Sequence, residues 1–405
     1  MIWSLVLFLV LPFLAFIISL DDLRKPINAI IFIAFYALFG YCNHFELITA
    51  DIARIGYAFQ NTQYLGNIFE IYEEGGKADV YSGLLFYYLL PFTNNPKVFC
   101  AVVAAIFGIL SYAVYVNIYQ YWPRERKGWF YVYILVALSN ISLVHLTGIR
   151  YYTGGLLFLL SAINYIKGKK LWIIGIIIPG FIHFSLFIAT GAFLAYVIFR
   201  KFIQNKTISF LALSLSLIIS FFSMGSFAKD MFNEAEIENS AIESKVNSYT
   251  DEKSNVIEKP QSAYRQANSL FTKTFNMISR IGIYLFLLTI LNKTNFKSLD
   301  KLTQKLLSFT VILTCVAFFA ISLSEVAMRF VNLAWCSFFI VFPLILKTYD
   351  FKAKSWIKWL VVANFYSIAF LFINAPRLVT PDLWYMNVPY LIYEGLDFRI
   401  TWFVI

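Results

Sequence analysis

The sequence predicts an all-α, polytopic membrane protein, with about twelve transmembrane helices in a single domain of residues 1–405. Of its 405 residues, 60% are hydrophobic and 14% are charged, against roughly 25% charged residues in an average soluble protein. Apolar runs of about 20 residues recur along the chain, and each is long enough to cross roughly 30 Å of hydrocarbon. Because these runs do not alternate with a period of two, a closed β-barrel is excluded.

Basic residues give the orientation of the predicted spans. Lys and Arg gather in short turns between the apolar runs, which is typical of the cytoplasmic side of a membrane. The net charge of +10 therefore indicates topology rather than nucleic-acid binding. With the N-terminus outside, the basic turns fall on one side throughout. The predicted spans are 1–20, 27–48, 97–119, 129–146, 151–166, 207–227, 274–291, 306–323, 330–346 and 359–373.

Two segments do not fit an ordinary span. Residues 81–92 are too few to cross the membrane and predict a re-entrant or interfacial segment. Residues 171–199 are too many for one span and too few for two, and Pro179-Gly180 interrupts them. We expect two short helices that meet in the outer half of the membrane, with His183 near the junction. One tilted helix is the alternative.

Three predicted outer segments follow from this orientation: 49–79, 228–273 and the C-terminal 375–405. The second is long, polar and net acidic. The first contains Asp51, Arg54 and Tyr57, at a spacing that predicts one face of a short helix. A solvated ion pair at the membrane edge is the alternative explanation.

Motifs for metal or nucleotide chemistry are missing from the sequence. The four cysteines have no Cys-x-x-Cys spacing, so neither a disulfide nor a metal site is expected. There is no P-loop, Gly-x-Ser-x-Gly, His-Glu-x-x-His or Asp-x-Asp motif. The sequence therefore does not support an ATPase, a nucleotide-sugar transferase or a zinc protease, and we expect no cofactor.

Polar residues in and beside the predicted spans converge on the outer side. Four of them are arginines, which run against the positive-inside preference, and the planar donor fork of arginine suits phosphate. Taken singly, each has an ordinary explanation, such as headgroup contact, helix packing or a local cap. The set is Asp51, Arg54, His145, Arg150, His183, Ser185, Arg280, Glu325 and Arg329.

These residues resemble motifs of the EpsG-like and Wzy-type polysaccharide polymerases of bacterial membranes. The resemblance lies in an Asp-x-x-Arg-x-x-Tyr element, an Arg-Tyr that opens a helix, a His-x-Ser about 33 residues later, and basic residues in late helices. The family often has a second aromatic residue directly after the first arginine, where this chain has Ile55. The matching residues are Asp51, Arg54, Tyr57, Arg150, Tyr151, His183, Ser185, Arg280 and Arg329.

The resemblance implies a fold like that of GT-C-type membrane glycosyltransferases, in the bacterial cytoplasmic membrane. It also implies that the enzyme joins oligosaccharide repeat units carried on undecaprenyl diphosphate, on the outer face. The lipid diphosphate would be the leaving group, so no nucleotide is needed. Implied partners are this substrate, the bilayer, and a flippase and chain-length regulator of the same pathway.

Under this hypothesis, Arg150, with Arg280 or Arg329, holds the diphosphate and stabilises the charge that develops as it leaves. His183 is the first choice of general base because histidine titrates near neutral pH. The carboxylate alternatives are Asp51 and Glu325. Expected substrate contacts are Arg54, Tyr57, Tyr151, Tyr152 and Ser185.

Two other function classes stay open. A flippase or transporter of lipid-linked sugars predicts an internal repeat and polar residues on both sides of the midplane, and neither is evident. A multi-span O-acyltransferase predicts a histidine that is reached from the cytoplasm, whereas the basic turns place His183 in the outer half.

Overall fold

The computed structural model describes residues 2–43, 51–62, 80–122, 127–222, 263–323, 328–349 and 353–393. Within these residues the fold is all-helical and has no β-strand. An isolated bridge joins Asn43 to Val379. The predicted all-α class is confirmed.

The first half of the chain forms helices that begin where the sequence favours a helix start. Pro12, Pro26 and Pro96 each occupy the first helical position, where a missing N–H costs no hydrogen bond. Asn95 caps the third of these helices by accepting from the N–H of Lys97. The helices are α1 (Ile2–Val10), α2 (Pro12–Ser19), α3 (Pro26–Tyr41), α4 (Asp51–Asn61), α5 (Val80–Leu89), α6 (Pro96–Tyr121), α7 (Lys127–Asn140) and α8 (Ile149–Ile166).

The second half packs around a central helix, α13, which contacts α10, α11 and α14. Short 3₁₀ turns separate several of its helices, including Lys170–Ile173 and Phe184–Leu186. The helices are α9 (Ile174–Ile182), α10 (Phe187–Ile203), α11 (Lys206–Ile219), α12 (Ala263–Lys293), α13 (Lys301–Leu323), α14 (Met328–Thr348), α15 (Ala353–Ala363) and α16 (Phe365–Leu378). The end of the predicted polar segment 228–273 is therefore helical from Ala263 onward.

Five helical stretches in the described residues are long and apolar enough to cross a membrane, or six if a pair bent by 58° counts as one. They indicate a membrane protein, but the predicted number of about twelve spans is not confirmed. Turns consume part of each apolar run, so a run of about 20 residues often yields a shorter helix. Residues 1–20, for example, form helices of 9 and 8 residues. The five stretches are Pro96–Tyr121, Gly128–Ile166, Phe184–Ile203, Lys301–Ile321 and Arg329–Thr348.

The stretch Gly128–Ile166 contains two antiparallel legs. Its successive contacts with α6 first run back toward the start of α6 and then forward again. The reversal coincides with the 3₁₀ turn Leu143–Gly148, and it agrees with the predicted pair of spans 129–146 and 151–166. In chain order, the Tyr133 and Trp122 rings pack with centroids 4.8 Å apart, and the Ile141 carbonyl accepts from Tyr115 at 2.9 Å. Next, Ile149 and Val103 line one small cavity. Finally, Lys167, just after the stretch, donates to Asn117 at 2.7 Å.

The ends of the helices fall into two groups that agree with the predicted sidedness. Ends predicted to be cytoplasmic contact one another, and so do ends predicted to be outer. The first group contains Asp21 with Tyr131, Asn117 with Lys167, Lys206 with Asn292, and Asn295 with Tyr349. The second contains Asp51 with Arg150, Tyr151 with His183 and Arg329, Ser220 with Arg280, and Asn43 with Val379.

Candidate functional site

The first turn of α8 is the centre of the outer group of contacts. It carries Arg150, Tyr151 and Tyr152 in sequence, and successive residues of a helix point in directions about 100° apart. The turn therefore reaches three different neighbours. Gly148 precedes it, and a Cβ there would lie 3.3 Å from the Tyr152 ring, so a glycine lets this ring pack close to the chain.

Arg150 forms a two-point ion pair with Asp51 of α4. Nε donates to Oδ2 at 3.1 Å, and Nη2 donates to Oδ1 at 2.9 Å. Arg54 also donates to Oδ1, at 2.7 Å. The Asp51 and Arg150 side chains are 14% and 15% exposed, whereas Arg54 is 63% exposed. The predicted shared face of Asp51 and Arg54 is confirmed, and the carboxylate links α4 to α8 rather than being solvated.

The surroundings of Asp51 hold its side chain in the ionised form. Burial raises the pKa of this carboxyl, but the hydrogen bonds and charges of Arg150 and Arg54 outweigh burial, so the pKa is lowered. A carboxylate with a lowered pKa accepts a proton poorly. This environment favours a positioning role for Asp51 over the role of general base.

His183 lies at the junction of the short helix α9 and the longer helix α10. α9 passes through Pro179 and ends when the His183 N–H donates to the Pro179 carbonyl at 3.0 Å. The break is therefore at His183, where the backbone is extended, and not at Pro179-Gly180 as the sequence predicted. Pro179 lies inside α9, where the missing N–H removes one helical hydrogen bond. The predicted helix break near His183 is confirmed, but only α9 is short, since Phe184–Ile203 is long and apolar enough to cross a membrane.

The chain reverses after this junction, which holds His183 inside the protein. Thr190 of α10 donates to the carbonyl of Ile176 in α9 at 2.9 Å. The His183 side chain is 7% exposed. Its Nδ1 lies 2.8 Å from the Ser185 hydroxyl, and its ring meets the Tyr151 ring edge to face at 5.5 Å between centroids.

Arg329 contacts Tyr151 as well. Its guanidinium carbon lies 5.5 Å from the centroid of the Tyr151 ring, within range of a cation–π interaction. Within the described part of the chain, this guanidinium forms no hydrogen bond and no ion pair. Glu325, the carboxylate alternative four residues earlier, lies outside the described residues. His183 and Arg329 therefore both contact the Tyr151 ring.

Three residues that the sequence singled out have local or separate positions. The ring nitrogen Nδ1 of His145 accepts from the backbone N–H of Ser142 at 3.0 Å, so His145 caps the 3₁₀ turn before α8. Arg280 donates to the Ser220 carbonyl at 3.2 Å and lies over the Phe221 ring. The structure places Arg280 at the α11–α12 contact and does not bring it to Tyr151. Tyr57 is 62% exposed on α4.

Two asparagines near the site were not predicted. Asn332 donates to the Tyr152 hydroxyl at 3.2 Å, and Asn140 lines a narrow cavity together with Asn332, Tyr152 and Arg329. The signal available in the sequence was an amide inside an apolar run, which is costly in a bilayer unless it is bonded. Among the described residues, no group of His, Cys, Asp and Glu is arranged as a metal site.

The sequence matches one known protein family. The model of the EpsG family matches residues 57–391, most of the chain. The chain belongs to the EpsG family. The match covers α8, the His183 junction and α14, and it begins after Asp51 and Arg54. The EpsG-like resemblance is confirmed, and membership indicates a polysaccharide polymerase-like function. No curated protein and no solved structure matches the chain, so the likeness to GT-C-type enzymes stays a prediction.

Proposed function

We propose that this EpsG-family protein is a membrane glycosyltransferase that polymerises lipid-linked oligosaccharide repeat units. The donor is the growing glycan on undecaprenyl diphosphate, and the acceptor is a hydroxyl of the next lipid-linked unit. The reaction takes place on the outer face of the bacterial cytoplasmic membrane. A flippase and a chain-length regulator of the same pathway act with it.

One observation carries the proposal: a histidine and an arginine meet at Tyr151, at the end of the bundle opposite the basic turns. In the reaction, a bond forms between the acceptor oxygen and the anomeric carbon of the donor. The bond from that carbon to the diphosphate oxygen breaks. A base must take the proton of the acceptor hydroxyl, and a cation must stabilise the departing diphosphate. His183 and Arg329 supply these two functions.

The arginines divide into two roles. Arg150 was the first choice for the diphosphate, but its donor fork is bonded to Asp51. Arg329 carries a guanidinium that forms no ion pair within the described residues, so it takes the diphosphate. Arg150 and Asp51 hold the first turn of α8 in place, and the exposed Arg54 is a second phosphate contact.

His183 acts as the base through the ring nitrogen that does not face Ser185. When the Ser185 hydroxyl accepts from Nδ1–H, Nε2 carries the lone pair that can take a proton. Ser185 is therefore a positioning residue. Tyr57, Tyr151 and Tyr152 are the aromatic contacts for sugar rings.

The test uses purified protein in liposomes supplied with a lipid-linked repeat unit. We expect polymer on a gel and one undecaprenyl diphosphate released for each new linkage. Arg329→Ala should abolish both, whereas Arg377→Ala, an exposed arginine at the end of α16, should retain both. Transport of the repeat unit across the liposome without polymer would identify a flippase and refute the proposal.

A further inference from the structure

A long groove runs along the surface between α12 and α15, away from the candidate site. Its volume is about 520 Å³, within the range of small-molecule sites. It extends along α12 from Ile278 to Lys293, about 22 Å at 1.5 Å per residue. Leu285 and Trp359 are exposed along it. The groove is lined mainly by Ile278, Gly282, Leu285, Phe286, Trp356 and Trp359.

One end of the groove is cationic. The ammonium group of Lys293 lies 5.9 Å from the centroid of the Trp356 ring, and Ser355, the residue before Trp356, also lines the groove. Among the described residues, Lys293 forms no ion pair and no hydrogen bond. Lys206 adds a second cation nearby, since it donates to the side chain and the carbonyl of Asn292.

This cationic end belongs to the group of predicted cytoplasmic ends. Lys206 donates to Asn292 there, and three residues further along the chain the Asn295 N–H donates to the Tyr349 hydroxyl. A lysine beside tryptophan is typical of the membrane interface, where an indole ring sits at the level of the headgroups. The rest of the groove then runs from that interface into the hydrocarbon region.

The shape and charge select one kind of occupant. An apolar channel of this length accommodates a hydrocarbon chain, and Lys293 complements a negative headgroup. Because the bilayer already solvates acyl chains, the apolar wall of the groove matches the shape of a chain but does not distinguish one lipid from another. The preference among lipids therefore comes from the headgroup. Basic pockets between helices on the cytoplasmic side favour anionic lipids for this reason.

We propose that the groove binds an anionic glycerophospholipid of the inner leaflet. One acyl chain lies along α12 and α15, and the phosphate lies beside Lys293 and Ser355. The polymerase substrate does not explain the groove, because its diphosphate would then lie at the opposite end of the bundle from His183 and Arg329. The site is thus independent of the proposed function.

Native mass spectrometry of the full-length protein in detergent tests the proposal. Phosphatidylglycerol and phosphatidylethanolamine with identical chains are added in equal amounts. We expect a preference for phosphatidylglycerol of roughly fivefold, the effect of about one lysine at a membrane surface. Lys293→Gln should remove the preference, and Lys293→Arg should keep it. Lys301→Gln, an exposed lysine at the start of α13, is the matched control and should also keep it.

A second variant tests the groove itself. Thr289→Trp fills the groove and should reduce retention of both lipids, whereas Leu211→Trp, on an exposed face of α11, should not. Equal retention of the two lipids by the unmodified protein would overturn the proposal. An undiminished preference in Lys293→Gln would overturn it as well.

Discussion

The first turn of α8 separates two regions that differ in how their charged side chains are paired. Toward α4, Arg150 and Asp51 satisfy each other through two hydrogen bonds, with Arg54 as a third partner. Toward α14 and the α9–α10 junction, the Tyr151 ring contacts both His183 and Arg329, and the Arg329 guanidinium has no carboxylate partner in the described residues. Charges that are neutralised in place stabilise a fold, whereas a cation left beside an aromatic ring is available to a ligand. The comparison assigns stability to the first region and chemistry to the second.

The largest expected effect is at His183. His183→Ala should lower the turnover rate about 10²–10⁴-fold, because a general base contributes on that scale. The measurement is the rate of polymer formation at equal amounts of folded protein. A variant that polymerises at the normal rate would exclude His183 as the base.

Arg329→Ala should lower turnover about 10²–10³-fold, the usual effect of removing one donor to a developing negative charge. Its thermal unfolding midpoint should change little, since the side chain contributes only a cation–π contact to the fold. Arg329→Lys retains the charge without the planar fork, so its turnover rate should lie between those of the unmodified protein and Arg329→Ala. A large loss of stability with normal turnover would move Arg329 into the structural region.

Asp51→Ala tests the other region and should cost about 3 kcal/mol of unfolding free energy, because it leaves a largely buried arginine without its partner. Thermal unfolding in detergent measures this cost. Arg54→Ala is the control, and it should cost less than about 1 kcal/mol since the Arg54 side chain is mostly exposed. Equal effects of the two substitutions would contradict the interpretation of Asp51–Arg150 as the stabilising pair.

The smallest effect is the acid sensitivity of this pair. The folded pKa of Asp51 lies below its unfolded value, which is about 3.9. Its stabilisation is therefore complete above about pH 4 and is lost as pH falls through the folded pKa. Unfolding midpoints of the unmodified protein and Asp51→Asn should converge as the pH is lowered below about 4. A constant difference down to about pH 3 would show that Asp51 does not titrate as described.

The sequence predicted which helix ends lie together better than it predicted the number of membrane spans. Charge and hydropathy belong to single residues, so the basic turns could be assigned before any contact was known. The number of spans depends on where helices break, and apolar turns leave little trace in composition. Pro179 shows the same limit: it marked the correct helix pair, but α9 continues through the proline and ends at His183.

The sequence predicted many residues of the candidate site, but it did not predict which of them contact each other. His183, Ser185 and Tyr151 were identified from short motifs, and the structure brings them together, whereas Arg150 faces Asp51. Which arginine meets Asp51 depends on a contact across 99 residues, and no local pattern specifies it. For that reason the diphosphate was first assigned to Arg150, and only the geometry moves it to Arg329.

The most direct test of the division between the two regions measures unfolding midpoint and turnover on the same preparations of four alanine variants. Asp51→Ala and Arg150→Ala should lower the unfolding midpoint. Their turnover per folded molecule should fall less than that of His183→Ala and Arg329→Ala. His183→Ala and Arg329→Ala should keep the midpoint of the unmodified protein and lose at least about 10²-fold in turnover. Four variants that lose stability and turnover in the same proportion would contradict the account.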